Sequence, residues 1–248
     1  MTRLVLLHGF TGSPGSWKPV LDRLGKDVQS MCPALGGHDD VPAPTSFEDE
    51  VDRLAALVAA WGPGPVHLCG YSLGGRVAIG LVARHPNLFS GATILGAHPG
   101  LATAEEREAR VAQDEAWAEL IERDGVAAFV ARWEAQPLFA TQGALPEEER
   151  AAQLARRLAH DPARLGGAMR ALSLARMPFY EPELVAVDLP ITLVTGSLDE
   201  KFTAIARRLR PLLRRGEHRI IEGAGHNVAL ERPGVVAELL VNELAPGR

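Results

Sequence analysis

The stretch VHLCGYSLGGRVAIGLVA, residues 66–83, joins an apolar strand, a tight turn and an apolar helix without a break. Gly70, Ser72 and Gly74 form the pattern G-x-S-x-G, in which the glycines allow a strained strand-to-helix turn that exposes the serine hydroxyl. The pentapeptide alone is a weak signal, and a simple tight turn is the alternative. The strand before it and the helix after it favour a nucleophile turn with Ser72 at its tip.

Short β-type runs alternate with helical segments along most of the chain. Alternation of this kind predicts an α/β fold with a doubly wound, mostly parallel sheet. The strands are predicted at 4–8, 28–32, 66–70, 92–96, 191–196 and 218–223. The helices are predicted at about 16–25, 46–61, 73–85, 201–213 and 233–244, with start signals at Ser46 and Pro233.

The alternation stops between residues 101 and 185, which contain charged helical sequence and no convincing strand. An excursion of this length between two strands predicts a helical cap inserted over the carboxyl edge of the sheet, where open α/β sheets bind ligands. We therefore expect a core formed by residues 1–100 and 186–248 and a cap formed by residues 101–185.

Composition excludes several classes of partner. The net charge of −5 gives no reason to expect nucleic-acid binding. The apolar run Leu4–Leu7 is too short for a signal peptide, and no later run is long enough to span a membrane, which predicts a cytoplasmic protein. Metal clusters, phosphate loops and dinucleotide motifs do not stand out, so we expect no cofactor. The oligomeric state cannot be predicted from these features.

A serine nucleophile needs a base, and the base needs an acid that orients it. Asp199 follows the strand at 191–196, and His226 follows the last strand, so both belong to the same edge of the sheet as Ser72. Their order along the chain, serine then acid then histidine, suits a catalytic triad. The alternatives are an N-cap role for Asp199 and a surface-loop role for His226, whereas Asp188 precedes its strand and belongs to the opposite edge.

Two backbone amides are expected to form an oxyanion hole. The first is the N–H of Leu73, directly after the serine, and the second is the N–H of Phe10 in the loop HGF after the first strand. His8 is expected to tie down that loop without taking part in the chemistry.

Arg76 is an unusual residue for an apolar helix behind a nucleophile. Only three of the 26 basic residues are lysine, so an arginine as such carries little information. A guanidinium in a buried helix nevertheless needs an anionic partner, because its desolvation is costly. That partner is either a carboxylate of the protein or a carboxylate of the substrate, and the sequence leaves both open.

These residues resemble one family, the 2-succinyl-6-hydroxy-2,4-cyclohexadiene-1-carboxylate synthases of menaquinone biosynthesis, which have the α/β-hydrolase fold. The resemblance runs from about residue 4 to 240, and S-L-G-G-R, D-x-K-F and G-H-N are its more specific motifs. It is carried by LHGFTGS (7–13), GYSLGGR (70–76), GAHPGL (96–101), EEREAR (105–110), W-x-x-Q-P-L-F (133–139), GSLDEKF (196–202) and GHNVALERP (225–233).

The resemblance implies a lyase that eliminates pyruvate from an enolpyruvyl cyclohexene carrying several carboxylates. It implies Ser72, Asp199 and His226 as the triad, with Ser72 as the base that removes a ring proton, and Phe10 and Leu73 as the oxyanion hole. Substrate binding is implied for Arg76, Arg110, Arg157, Tyr71 and Trp133, although Arg156 is an alternative to Arg157. Bidentate guanidinium–carboxylate pairing suits a polycarboxylate substrate.

The sequence also departs from the family. PALGGHDD (33–40) replaces a P-G-H-G turn, and ARMPFYEP (175–182) replaces a Gln-Pro near the end of the cap. A serine hydrolase acting on an ester or a carbon–carbon bond of a small anionic carbonyl compound is therefore the second hypothesis. A non-catalytic binding module is the third, although it would leave the Ser, Asp and His set unexplained.

Overall fold

The first strand packs against apolar side chains on both of its faces. Val5 and Leu7 belong to one buried cluster, whereas Leu4 and Leu6 belong to another. Successive side chains of a strand point to opposite faces, so the sheet is covered on both sides. This explains why the strand reads as a continuous apolar run instead of an alternating one.

In the computed structural model, which describes residues 2–245, six parallel strands form one sheet in the order β2-β1-β3-β4-β5-β6. This arrangement confirms the predicted α/β class. The strands are β1 (Thr2–Leu7), β2 (Val28–Met31), β3 (Val66–Tyr71), β4 (Phe89–Leu95), β5 (Ile191–Gly196) and β6 (Gly216–Ile221).

The helices outside residues 101–185 follow the predicted segments, except that the short helix Val228–Glu231 was not predicted, the helix predicted at 201–213 ends as an α-helix at Leu209, and the first predicted helix is broken. Residues 16–25 were expected to form one helix, but they contain the end of a 3-10 helix (Pro14–Trp17) and a single turn, α1 (Lys18–Leu21). Proline is tolerated only in the first turn of a helix, so Pro19 disfavours one α-helix that starts at residue 16 and continues through it. The others are α2 (Phe47–Ala60), α3 (Leu73–Arg84), α8 (Glu200–Leu209), α9 (Val228–Glu231) and α10 (Pro233–Glu243).

The predicted start signals are present at two of these helices. The Ser46 hydroxyl accepts a hydrogen bond of 3.0 Å from the Asp49 N–H at the start of α2. Pro233 occupies the first turn of α10, where its missing N–H has no helical partner to lose.

Residues 101–185, called here the inserted segment, are helical, and no strand interrupts them in the structure as described. The long helix α4 bends at Gly125, whose φ of +84° is accessible to glycine without strain. A third apolar cluster, which includes Ile121, Phe129 and Leu165, joins α4 to α6. The helices are α4 (Ala104–Glu134), α5 (Glu147–Leu158), α6 (Pro162–Ala171) and α7 (Glu181–Ala186), with a 3-10 helix (Pro137–Ala144) between α4 and α5.

The inserted segment lies over the carboxyl ends of the strands, and three of its helices line the same cavity as residues that follow β1, β3 and β5. The division into a core of residues 1–100 and 186–248 and a cap of residues 101–185 stays a prediction. None of the helices among the described residues combines the length and the apolar character that a membrane crossing requires.

Candidate active site

The turn between β3 and α3 places Ser72 in a strained backbone conformation, with φ +52° and ψ −109°. The Ser72 N–H donates to the carbonyl of Leu95 in β4 at 2.9 Å, which fixes the turn to the neighbouring strand. Both glycines of the motif are required by close packing. A Cβ at Gly70 would lie 2.3 Å from the carbonyl oxygen of Gly74, and a Cβ at Gly74 would lie 2.2 Å from that of Leu7.

Ser72, His226 and Asp199 form one hydrogen-bonded chain across the edge of the sheet. The Ser72 Oγ lies 3.1 Å from His226 Nε2, and His226 Nδ1 lies 2.8 Å from Asp199 Oδ2. Because an ionised carboxylate only accepts, Nδ1 carries the proton and Nε2 faces the serine hydroxyl. His226 and Asp199 are both buried, which shields this hydrogen bond from water.

Asp199 makes both of the contacts that the sequence left as alternatives. Its second carboxylate oxygen, Oδ1, accepts from the Phe202 N–H at 3.2 Å and caps the start of α8. The cap holds the carboxylate in place while Oδ2 faces His226. An N-cap role therefore supports the orientation of the acid and does not compete with it.

Glu231 braces the loop that carries His226, and sequence reasoning did not identify it. Its carboxylate accepts from the N–H groups of Gly225 and Asn227, the residues on either side of His226, at 2.7 and 3.3 Å. The hydroxyl of Thr141, from the inserted segment, donates to the same carboxylate at 3.1 Å. The only available signal was an acidic residue five positions after the histidine, which has no distinctive spacing.

The two residues predicted to supply the oxyanion donors, Phe10 and Leu73, line the same cavity as the serine. Leu73 is the first residue of α3, where the N–H has no partner within the helix. Phe10 lies in the loop after β1 and lines the same cavity as Ser72 and Leu73. Gly9 lets the loop approach closely, since a Cβ there would lie 2.7 Å from the ring of Tyr71.

The cavity beside Ser72 has two lobes, which share Phe10, Ser72, Trp133 and Phe139. The first lobe, of about 990 Å³ with its open mouth, is lined by Arg76, Arg110 and Lys201 as well as by His226 and Leu73. The second lobe, of about 650 Å³ with its own open mouth, is lined by Tyr71, Arg156 and Arg157. Cations therefore lie on both sides of the serine, separated by aromatic side chains.

Trp133 and Tyr71, both predicted as cavity wall, have the expected positions. The Trp133 ring packs at 5.7 Å from Phe10 and 5.8 Å from Phe139, between centroids. The Tyr71 ring lies 5.3 Å from that of His226. These contacts place aromatic rings beside Ser72 and His226, and an apolar environment strengthens electrostatic interactions.

Arg76 lacks a carboxylate partner in the described part of the chain. Its Nη1 donates to the main-chain carbonyl of Leu172 at 2.8 Å, and the side chain is half-buried at the wall of the first lobe. Burial, together with the nearby Arg110, lowers the pKa of Arg76 to about 9. The adjacent Asp114 is already engaged, because it accepts from Arg110 Nε at 2.8 Å and from the Ser173 hydroxyl at 2.6 Å.

The two neighbouring arginines of α5 differ in their contacts. Arg157 is buried, forms an ion pair with Glu134 and stacks on the Phe139 ring with Cζ 5.7 Å from its centroid. Arg156 is half-buried at the second lobe, and among residues 2–245 it forms no ion pair or hydrogen bond. Desolvation and the charge of Arg157 lower the pKa of Arg156.

Comparison with known proteins identifies the class of fold and then the family. Residues 4–239 match the model of the alpha/beta hydrolase family. The chain therefore belongs to the α/β hydrolases.

Closer relatives define a branch of that class. The 2-succinyl-6-hydroxy-2,4-cyclohexadiene-1-carboxylate synthase of Enterobacter sp. (strain 638) is 37% identical over 97% of this chain and 91% of the relative. The synthase of Klebsiella pneumoniae (strain 342) is 36% identical over 98% and 93%. The structure of MenH from S. aureus superposes with a TM-score of 0.93, at 25% identity, over 97% of this chain and 92% of that one. The chain belongs to the family of 2-succinyl-6-hydroxy-2,4-cyclohexadiene-1-carboxylate synthases.

Proposed function

We propose that the chain eliminates pyruvate from 2-succinyl-5-enolpyruvyl-6-hydroxy-3-cyclohexene-1-carboxylate to give 2-succinyl-6-hydroxy-2,4-cyclohexadiene-1-carboxylate. The observation that carries this proposal is the Ser72–His226–Asp199 chain beside a guanidinium, Arg76, that has no ion-pair partner in the described chain. The first feature suits proton abstraction and the second suits an anionic substrate. The family to which the chain belongs supports the same reaction.

The elimination begins at ring carbon 2, whose hydrogen is acidified by the adjacent succinyl ketone. Ser72 Oγ removes this proton while its own proton passes to His226 Nε2, 3.1 Å away. Asp199 stabilises the imidazolium that forms, through its 2.8 Å contact with Nδ1. The electron pair of the broken C–H bond moves to the ketone oxygen and creates an enolate.

The amides of Phe10 and Leu73 are proposed to stabilise this developing enolate oxygen. Preorganised N–H donors are most effective where charge appears only in the transition state. When the carbonyl re-forms, the ring double bond shifts and the bond from carbon 5 to oxygen breaks. Enolpyruvate leaves with the electron pair of that bond, and the proton held by His226 converts it to pyruvate.

The substrate carries three carboxylates, and the cations of the two lobes are proposed to bind them. Arg76, Arg110 and Lys201 would act in the first lobe, and Arg156 and Arg157 in the second. Of the four arginines, Arg110 and Arg157 are paired with carboxylates, whereas Arg76 has one carbonyl partner and Arg156 has no hydrogen bond or ion pair within residues 2–245, so the proposal assigns Arg76 and Arg156 the strongest interactions with substrate. Tyr71 and Trp133 would hold the ring between the lobes.

The experiment supplies the enolpyruvyl compound and follows two signals together, which are pyruvate release and the absorbance of the conjugated diene. The lyase proposal requires both signals to appear at equal rates. Pyruvate release without diene formation would contradict it.

The same triad geometry is suited to a serine hydrolase acting on a small anionic carbonyl substrate, which is the second candidate. Stoichiometric acylation of Ser72 by activated esters, followed by efficient turnover, would favour this hydrolase over the lyase. A cytoplasmic location, independence of any cofactor and the lack of a nucleic-acid partner stay predictions.

A further inference from the structure

The loop that carries Phe10 is held by three histidines, and none of them takes part in the reaction described above. This loop comprises residues 8–12, between β1 and the first 3-10 helix. His8 belongs to the loop, His38 to the connection after β2, and His160 to the turn between α5 and α6 of the inserted segment. All three side chains are buried.

The peptide group between Gly9 and Phe10 is fixed through its carbonyl. The Gly9 oxygen accepts from His8 Nδ1 at 2.9 Å and from the Gly12 N–H at 3.0 Å. In a trans peptide the C=O and N–H point in opposite directions, so these two bonds also set the direction of the Phe10 N–H. The remaining nitrogen of His8, Nε2, accepts from the Leu35 N–H at 3.1 Å.

The main-chain N–H and carbonyl of Thr11, the residue after Phe10, are each hydrogen-bonded to an imidazole. Its N–H donates to His38 Nε2 at 3.2 Å, and its carbonyl accepts from His160 Nε2 at 3.1 Å. Thr11 has a φ of +62°, a left-handed conformation that is rare for a β-branched residue and has to be held by its surroundings. The two histidines supply that restraint directly after the predicted oxyanion donor.

The three rings pack edge to face in a row, with His38 in the middle. The centroid of His38 lies 5.0 Å from that of His8 and 5.2 Å from that of His160. Each ring has one nitrogen that donates and one that accepts. His38 Nδ1 donates to the Gly36 carbonyl at 3.1 Å, and His160 Nδ1 accepts from the Asp39 N–H at 3.4 Å. A protonated imidazole cannot accept, so these contacts require neutral rings with fixed tautomers.

The electrostatic surroundings favour the neutral form of the two rings that accept from loop amides. Burial lowers the pKa of His8 to about 4, and it lowers the pKa of His38 well below the usual value. The neighbouring histidines act in the same direction, since a charge on one ring disfavours a charge on the next.

We propose that His8, His38 and His160 are positioning residues that hold the Phe10 N–H in its orientation toward the reacting oxygen, and that His160 makes this orientation depend on the inserted segment. The proposal rests on the proposed function in one respect, which is the use of the Phe10 N–H as an oxyanion donor. The imidazoles act through the loop and contact no reacting atom.

The kinetic test uses two substitutions of His160 and one matched control. His160→Leu removes the donor to Thr11, whereas His160→Gln retains an N–H that can reach the same carbonyl. The control is His67→Gln, because His67 is another buried histidine but contacts Thr93 inside the sheet, away from the cavity. Thermal unfolding and circular dichroism establish that each variant is folded.

We expect His160→Leu to lower kcat by about 10- to 100-fold, below the 10²- to 10³-fold loss typical of deleting an oxyanion donor. The KM should stay within about twofold, because the interaction is made mainly in the transition state. His160→Gln should recover most of kcat, and His67→Gln should not change it. A folded His160→Leu enzyme with unchanged kcat, or with only a raised KM, overturns the proposal.

A second measurement does not depend on the reaction. The chain contains seven phenylalanines, so protein labelled with ¹⁵N-phenylalanine gives a small set of amide resonances, and Phe10→Leu identifies that of Phe10. His160→Leu should shift the Phe10 resonance and leave that of Phe89, in β4, in place, and His67→Gln should not move Phe10. An unchanged Phe10 resonance overturns the positioning role. Wild-type protein that releases no pyruvate contradicts the proposed function instead, and the resonance test still decides the positioning role.

Discussion

Ser72 and His226 line the same cavity as Arg76, but the protein satisfies the hydrogen bonds of the triad and of Arg76 in different ways. Ser72, His226 and Asp199 are bonded to one another, and Asp199 also caps α8. Arg76 has a single carbonyl partner, that of Leu172, and no ion pair within residues 2–245. The groups assigned to proton transfer are therefore preorganised by the protein, whereas the cation assigned to recognition keeps donors available for a ligand.

The largest effect is expected at the triad, the preorganised side of this comparison. Ser72→Ala removes the base, and we expect turnover of the enolpyruvyl substrate to fall about 10²- to 10⁴-fold, the usual contribution of general base catalysis. Steady-state assays of pyruvate release measure this loss. Ser30→Ala, at an exposed position of the edge strand β2, is the control and should retain full activity. Activity within tenfold of wild type for Ser72→Ala would mean that the triad does not supply the base.

The buried histidines extend the comparison from activity to stability, because the loop of residues 8–12 beside the triad is held by neutral imidazoles. The pKa of His8 is about 4 in the folded chain and about 6.5 in the unfolded one, so the unfolded state binds the proton more tightly. The stabilising contribution is complete above pH 6.5 and is lost progressively as the pH falls from 6.5 to 4. This one group accounts for roughly 3 kcal/mol of the free energy of unfolding over that interval.

Urea unfolding at a series of pH values measures this contribution. We expect the free energy of unfolding of His8→Gln to fall less steeply between pH 6.5 and 4 than that of wild type. Burial lowers the pKa of His67 to about 4 as well, so His67→Gln should flatten the profile similarly while kcat stays at the wild-type value. Parallel profiles for wild type and His8→Gln would show that His8 does not stay neutral in the folded protein.

The geometry of the triad could be predicted from sequence because it depends on the order of elements. Ser72, Asp199 and His226 each follow a strand of a parallel sheet, and the carboxyl ends of such strands share one edge. The same reasoning placed Phe10 and Leu73 beside the serine. This reasoning needed only the pattern of strands, helices and glycines, and each of these can be recognised from a short stretch of sequence.

The partners of the cations could not be predicted in this way. Arg76 contacts a carbonyl 96 residues away, and Arg157 pairs with Glu134 across two helices of the inserted segment. Such contacts depend on how helices pack, and a charged helical sequence looks the same whether a residue faces solvent, a neighbour or a cavity. His38 and His160 meet at Thr11 from positions 27 and 149 residues away, again without a local signal.

The next prediction concerns Arg76, whose donors are left available for a ligand. We expect Arg76→Gln to lower kcat/KM by about 10- to 150-fold, the equivalent of a hydrogen bond to a charged group worth about 1.5–3 kcal/mol. Arg84→Gln is the matched control on the same helix, because Arg84 pairs with Asp52 at the surface. Equal values for the two variants would show that Arg76 does not bind a substrate carboxylate.

The smallest effects are expected at Arg156 and Arg157, which repeat the contrast between a free and a paired group within one helix. Arg156 has no ion pair in the described chain, so Arg156→Gln should lower kcat/KM about tenfold, the equivalent of about 1.4 kcal/mol, and leave the melting temperature unchanged.

Arg157→Gln breaks the ion pair with Glu134 and the stacking on Phe139, so we expect a loss of stability of about 1–2 kcal/mol. For a chain of this length that loss lowers the melting temperature by about 2–8 °C. Scanning calorimetry and steady-state kinetics on both variants separate the two roles. The reverse result would be an Arg157→Gln variant with reduced kcat/KM at wild-type stability and an Arg156→Gln variant with unchanged kcat/KM. It would mean that substrate displaces Glu134 from Arg157. The ion pairs of the protein alone would then not identify the arginine that binds substrate.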